Sequence, residues 1–365
     1  MARATVAVVR ATPETVLADV GRAMTLAGFE RALPKGSPVI LKVNITWHFW
    51  YPACNTTPWQ LAGVAQALLG AGYPRESLVA AHNRTVVVSA RLGERLNKHR
   101  IVTERMGIAD VHLYEPGEEW VRYEPKAKMR VLGGMFPEGL MIPKRLIGAN
   151  IIHLPTMKTH VFTGITGAMK NAFGGLLFEK RHWTHSVIHE TLVDLLAIQK
   201  EIHPGVFAVM DGTFAGDGAG PRAMRWHEKD LILASADQVA IDAIAAKIMG
   251  FDPLSLKFIR LAHEAGLGVG DPREIEVVGE DIAGVNWGFR RGDTFASRGQ
   301  KLIYWGPLHR FEKLLLRPII VPWSYVASIL YHDVFWYTLV GYWRARRALK
   351  TKWGRLFRDW ERVQP

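Results

Sequence analysis

Apolar residues occur in short, β-branched blocks separated by segments with helical spacing. Thr5–Arg10 has no polar alternation and reads as a strand buried on both faces. Pro13–Phe29 spaces Val16, Val20, Met24 and Leu26 as one helical stripe, and Pro38–Val43 (PVILKV) is a second buried strand. Thr57-Pro58 opens the next helix, with Thr57 as N-cap and proline at the first helical position, and the helix stops near Gly70 and Gly72. Ser77–Ala81 follows as a strand. After a less regular middle region the rhythm resumes. Ala149–Leu154 reads as a strand, His189–Lys200 as a helix, Val206–Asp211 and Leu231–Ser235 as strands, Gln238–Met249 as a small-residue helix and Glu274–Val278 as a last strand. Gly216–Pro221 reads as a flexible glycine-rich loop, and Ser235-Ala236-Asp237 as an N-cap. This alternation predicts an α/β fold, a mostly parallel sheet flanked by helices, in one large domain or two lobes meeting near residue 150.

Ligands of open α/β sheets sit beyond the carboxyl ends of the strands. Asn44, His82, Pro155–His160 and Asp211 all follow predicted strands. The densest of these segments is Leu154–Gly175, LPTMKTHVFTGITGAMKNAFGG. Pro155 ends its strand, and Lys158, Thr159, His160 and Thr163 fill the loop. Gly164 and Gly167 allow close backbone approach, and a helix beginning at Ala168 would offer its first amides to an anion. With Lys170 and Asn171 this makes a phosphate or carboxylate cradle; GxxxxGK[ST] is absent, so it is not a P-loop. The alternative is a tight loop with capping threonines and solvated lysines.

Further candidates follow. His182, His185 and His189 are spaced to share a helix face, as a three-imidazole metal site, or as a polar face with one histidine in the site. His160 or His185 would move a proton, oriented by Asp211 or Asp217, with Gly218 approaching the ligand. Asp211 and Asp217 read equally well as turn residues. Asn44, Thr46, His48, Asn55 and Thr57 interleave with Trp47, Trp50, Tyr51 and Trp59, as an aromatic wall for an organic ligand or a loop packed on its own rings.

The chain has 365 residues, and its charge of +12 suggests nucleic acid until it is placed. Residues 301–365 hold 12 Lys+Arg against 4 Asp+Glu; the rest holds 34 against 30. The basic character therefore belongs to the tail, which contains no recognised nucleic-acid module. The tail also holds 14 of the 37 aromatic residues. Trp323 to Trp343 is largely apolar, with Ser324, Ser328 and His332 as a narrow polar stripe, and a polybasic run follows. This composition suits a membrane interface; a true span is opposed by His332-Asp333 at its centre. Docking on its own core, or on another subunit in a homo-oligomer, is the other option. Cys54 is the only cysteine, so no disulfide within the chain and no cysteine-ligated iron–sulfur cluster is expected. The N-terminal apolar run is too short for a signal peptide, and a cytoplasmic protein held peripherally at a membrane is expected.

Three segments resemble the DUF362 family: VILKVN with TTPWQLAGVAQALLGAGY (Val39 to Tyr73), GANIIHLPTMKTHVFTGITGAMKNAFGGL (Gly148 to Leu176), and VMDGTFAGDGAGPR with LILASADQVAIDAIAAKIMG (Val209 to Gly250). The second is the most specific. The resemblance runs from Thr5 to Gly284 and implies an α/β core, here residues 1–298, followed by an added segment, 299–365. It places family motif positions at Lys158, His160, Lys170, Asn171, His185, Asp211, Gly218, Pro221, Asp237 and Asp242. Many members carry ferredoxin-like cysteine clusters, which this chain lacks, and the family supplies no reaction. The expected function is an enzyme of lyase, isomerase or transferase type. It would act on an anionic, partly apolar and perhaps lipid-linked small molecule, with no cofactor or metal identified. The alternative is a non-catalytic membrane-associated binding or assembly subunit.

Overall fold

The computed structural model describes residues 4–83, 87–311, 326 and 328–363; the side chains of 179, 180, 182, 296 and 311 lie outside that description. The strands are β1 (Ala4–Arg10), β2 (Val39–Val43), β3 (Leu78–His82), β4 (Ala109–His112), β5 (Trp120–Tyr123), β6 (Leu140–Pro143), β7 (Asn150–Leu154), β8 (Thr156–His160), β9 (Gly164–Ile165), β10 (Val206–Ala219), β11 (Ala223–Ser235) and β12 (Ile275–Gly279). One ten-stranded sheet runs β12-β1-β11-β10-β7-β2-β3-β4, with β8 and β9 attached beside β10; β5 and β6 pair separately. From β10 through β4 the pairing is parallel, and Leu41 of β2 lies opposite both Ala80 and Ile152. β11 is antiparallel to β10 and β1, and β12 is parallel to β1. The protein is thus an α/β fold, a mostly parallel sheet between helices.

The buried strands alternate their apolar side chains between two cores, one on each face of the sheet. On one face lie helices Gly167–Leu176, Ile188–Ile202, Gln238–Met249 and Lys257–Glu264; on the other lie Val16–Leu26, Pro58–Gly70 and His99–Met106. Local signals fix several of these ends. Thr57 caps its helix in a full capping box with Gln60, and Pro58 takes the first helical position. The Asp237 carboxylate accepts from the amides of Val239 and Ala240, as a capping residue should.

The expected glycine-rich loop, Gly216–Pro221, is strand as far as Ala219: β10 runs on through Gly216 and pairs with β11, with β8 pairing at Gly216, and only Gly220, Pro221 and Arg222 form the turn. A Cβ would stand 2.8 Å from Met224 Sδ at Gly216 and 1.8 Å from the Thr159 carbonyl oxygen at Gly220, while Gly218 has φ +102°. The glycines thus serve close packing and a left-handed backbone as well as the turn.

The described part of the tail packs on the core. Residues 312–325 and 327 lie outside the description, including Trp323 and Ser324 of the expected stripe. Leu330–Gly341 forms a wide π-type helix, followed by helices Tyr342–Ala348 and Lys352–Asp359. Asp333 accepts from the Trp47 indole at 2.6 Å, and Phe49 and Tyr337 stack at 4.5 Å. Trp353 and Trp360 are fully buried against Trp59, and the Trp353 indole donates to Asp230 at 2.6 Å. The aromatic loop foreseen as a possible ligand wall is therefore covered by the tail's own rings. Among the described residues, no helix is long and apolar enough to cross a membrane.

Trp353 joins apolar burial to a buried hydrogen bond, so Trp353→Ala should cost about 3–5 kcal/mol of stability in chemical denaturation. A loss below about 1 kcal/mol would mean that the tail does not share the core's cooperative unit.

Candidate functional site

Three lysines are linked through their charges near the carboxyl ends of the parallel strands, Lys170 bearing on Lys158 and Arg181 on both Lys42 and Lys170. Lys42 is the penultimate residue of β2, an otherwise apolar strand that places it on the face covered by Gly167–Leu176. Its ammonium donates to the Val43 carbonyl, and its own carbonyl accepts from Asn171 Nδ2 at 2.8 Å. Lys158 projects from β8 and donates to the Cys54 carbonyl and to Thr46 Oγ1, the latter at 3.2 Å. Asn44 joins this network, donating to the Cys54 carbonyl at 3.1 Å and accepting from Thr46 at 3.1 Å. Lys170 is half-buried, its ammonium 5.3 Å from the Phe173 ring centre.

Burial shifts all three amines towards neutrality. Lys42 and Lys158 are pushed down to about 7 and Lys170 to about 8; the secondary causes are the positive charges of Arg181 at Lys42, Lys170 at Lys158, and Arg181 at Lys170. Among the described residues, none of the three lysines is paired with a carboxylate.

His160 completes the cluster. Its Nδ1 accepts from the amides of Phe162 at 3.2 Å and Thr163 at 3.4 Å, which assigns the ring proton to Nε2. Burial holds its pKa well below the ordinary value, reinforced by Lys170, His185, Lys158 and His189. The imidazole is thus a neutral donor at physiological pH. An apolar side is present too: the His185 ring is stacked with Tyr304 at 6.1 Å and meets Phe162 and Phe173 edge-on at 5.7 and 5.3 Å.

Several expected contacts are absent. The first amides of Gly167–Leu176 are not open to a ligand: Ala168 and Met169 donate to the Asp242 carboxylate at 2.5 and 3.0 Å. Gly167 makes this possible, since it has φ +71° and a Cβ there would lie 2.3 Å from Asp242 Oδ2. Asp211 is bonded to Thr57, to the Trp59 indole at 3.1 Å and to the Thr213 amide at 2.6 Å, fastening the capped helix to β10. Asp217 pairs with Arg225 at 2.8 Å and His227 at 3.0 Å. Neither acid reaches His160 or His185. His182, His185 and His189 do not share one α-helix, since residues 179–187 are 3₁₀ helix and the α-helix begins at Ile188; His185 and His189 both bear on His160. The His182 side chain lies outside the description, and His189, held near 4 by burial, stacks on Phe258.

Thr159 and Thr163 serve the backbone, donating to the carbonyls of Gly218 at 3.0 Å and Ile165 at 2.7 Å. His82 lies on the opposite face of the sheet, with Glu94 and Asp110. Lys42 was missed by sequence reasoning, although a lysine inside PVILKV is itself the signal.

The lysines make stability depend on pH. An ordinary lysine titrates at 10.5, so between about pH 7 and about pH 10 the unfolded chain holds more protons than the folded one, and stability rises with pH by up to about 1.4 kcal/mol per unit per lysine. Below that window the penalty is fully present. Denaturation midpoints should climb less steeply in Lys158→Met than in the wild type; equal slopes would contradict the depressed value of Lys158.

Comparison with known proteins places this chain in a family. A thylakoid-associated protein of Synechocystis is 29% identical over 136 residues, covering 35% of this chain; the chain spans 41% of that relative's length. A crystal structure of a Thermotoga maritima protein, a structural genomics target, matches 69% of this chain and 59% of its own, with 14% identity and a TM-score of 0.38. Residues 39–247, which contain Lys42, Lys158, His160 and Lys170, match the domain of unknown function DUF362, and the chain belongs to that family.

Proposed function

We propose that this protein binds an anionic, partly apolar small molecule at a membrane surface and acts on it as an enzyme, by proton transfer from the basic cluster. The observation that carries the reading is the group of lysines without carboxylate partners. Buried ammonium groups, Lys158 opposed by Lys170 and both Lys42 and Lys170 by Arg181, are stabilised by a bound anion, which raises their pKa values as it binds. Lys158, near 7, is poised to take or give a proton, and His160 Nε2–H supplies a neutral donor. The rings of Phe162, Phe173 and Tyr304 suit an apolar part of the ligand.

The tail supports the membrane part of the reading. Its π-type helix turns its acid inward, Asp333 meeting Trp47 and, at 3.6 Å, His48. Trp336 is buried against the core, but a second row of apolar residues points outward: Phe335 is 57% exposed and Leu339 58%, with Leu330 and Val334 beside them and Trp343, 58% exposed, on the next helix. Arg346, Arg347 and Lys350 follow. An outward apolar face with a basic flank complements an anionic lipid surface. The Synechocystis relative's printed name, which associates it with thylakoids, agrees with this.

A second reading is a non-catalytic binding subunit. It is favoured by one observation: among the described residues, neither Asp211 nor Asp217 reaches a histidine of the cluster.

Two experiments test the proposal. Calorimetry with inorganic phosphate should show binding that weakens by at least about tenfold in Lys158→Met and Lys170→Met, equivalent to about 1.4 kcal/mol, and that takes up protons near neutral pH. Identical affinities would remove the anion site. In sedimentation with phosphatidylserine-containing vesicles, the triple variant Phe335→Ser, Leu339→Ser, Trp343→Ser should lose binding while keeping its circular dichroism. Unchanged sedimentation would overturn the membrane reading, as would a wild-type dimer that the variant abolishes.

A further inference from the structure

We infer that His82, Glu94 and Asp110 form a divalent-metal site, on the face of the sheet opposite Lys42. The placement follows from strand alternation. His82 continues the row of Leu78 and Ala80, which belong to one core, whereas Lys42 continues the row of Ile40, which belongs to the other. Asp110 and His112 are two residues apart on β4 and therefore share a face, and His112 lies opposite His82 in the parallel register. Helix Ala90–Leu96 brings Glu94 over them.

The geometry is that of ligands around a common point. His82 Nε2 lies 2.8 Å from Asp110 Oδ1 and 3.8 Å from Glu94 Oε2. One donor atom from each of the three residues falls within 4.8 Å of the others. His82 is 2% exposed, yet neither of its ring nitrogens has a hydrogen-bond partner, and neither has Asp110 Oδ1. His82 Nε2 and Asp110 Oδ1 are at ion-pair distance, 2.8 Å, but are not aligned as a well-formed hydrogen bond, an arrangement that two ligands of one ion also adopt. Buried orphans of this kind are rare and call for an explanation. Two carboxylates beside them also repel unless a cation or proton lies between.

A supporting shell is in place. His112 Nε2 contacts Glu94 Oε2 at 2.8 Å, and its other nitrogen meets the Tyr114 hydroxyl at 3.2 Å, so the Glu94 carboxylate is held by an oriented imidazole. One imidazole and two carboxylates suit Zn²⁺, Mn²⁺ or Fe²⁺ better than a thiolate-loving ion. Asp110, 20% exposed at its side chain, gives solvent access for the remaining coordination positions.

The test uses the full chain, stripped with chelator and titrated with Co²⁺, whose visible d–d bands report ligation. The wild type should bind about one ion per chain, Zn²⁺ should displace it and raise the melting temperature, and Glu94→Gln and Asp110→Asn should each bind at least about tenfold more weakly. Lys158→Met should bind Co²⁺ normally, which separates this site from the anion cluster. If Glu94→Gln does not fold, the more exposed Asp110→Asn carries the comparison. Wild-type protein that takes up no stoichiometric Co²⁺, or variants that bind it as tightly as the wild type, overturn the site.

Discussion

Withdrawing an ammonium group from water costs several kcal/mol, and at Lys42 and Lys158 this fold does so beside the ends of neighbouring strands, with carbonyl and hydroxyl oxygens as the partners. The surrounding arrangement accommodates that constraint. Asn171 ties the Lys42 carbonyl to the adjacent helix, and Asn44, Thr46 and the Cys54 carbonyl encircle Lys158. The buried acids Asp242 and Asp211 are committed to backbone amides and to Thr57 and Trp59. Among the described residues the three lysines meet no carboxylate, which is the condition for meeting a ligand's charge instead.

The tail helix is apolar on two sides. Its inner side buries Trp336, stacks Tyr337 on Phe49 and brings Asp333 to the indole of Trp47 and the ring of His48. Its outer side exposes Leu330, Val334, Phe335 and Leu339 along the π-type helix, with Trp343 on the helix that follows. Helix Lys352–Asp359 behaves in the ordinary way and buries Trp353 under Trp59. The tail thus joins a conventional clamp to an outward apolar face, on the same chain as the basic cluster.

What was legible in the sequence was local. β1, β2, β3 and β7 are continuous apolar runs, and the caps at Thr57 and Asp237 depend on residues two or three positions away. What was not legible depends on partners distant in sequence. The Gly216–Ala219 segment looked like a loop because its glycines suit turns equally well; only β8 and β11 on either side make it strand. Asp242 was legible as a helix residue but not as the acid that occupies the amides of another helix, so the expected amide cradle is closed. Lys158 and Asn44, both singled out, share the Cys54 carbonyl, whereas Asn171 binds the Lys42 carbonyl. Lys42 stayed hidden inside an apolar strand, and Glu94, Asp110 and His112 lie on short elements in the region where no clear periodicity was visible.

The central claim is that burial depresses the pKa values of Lys42, Lys158 and Lys170, with no carboxylate partner among the described residues to offset it. Lysine side-chain NMR, with assignments from Lys42→Met, Lys158→Met and Lys170→Met, reads those values directly through the pH dependence of the carbons beside each Nζ. The account predicts midpoints of about 7 for Lys42 and Lys158 and about 8 for Lys170, all moving upward when phosphate is added. Midpoints at the ordinary 10.5, unmoved by phosphate, would contradict it.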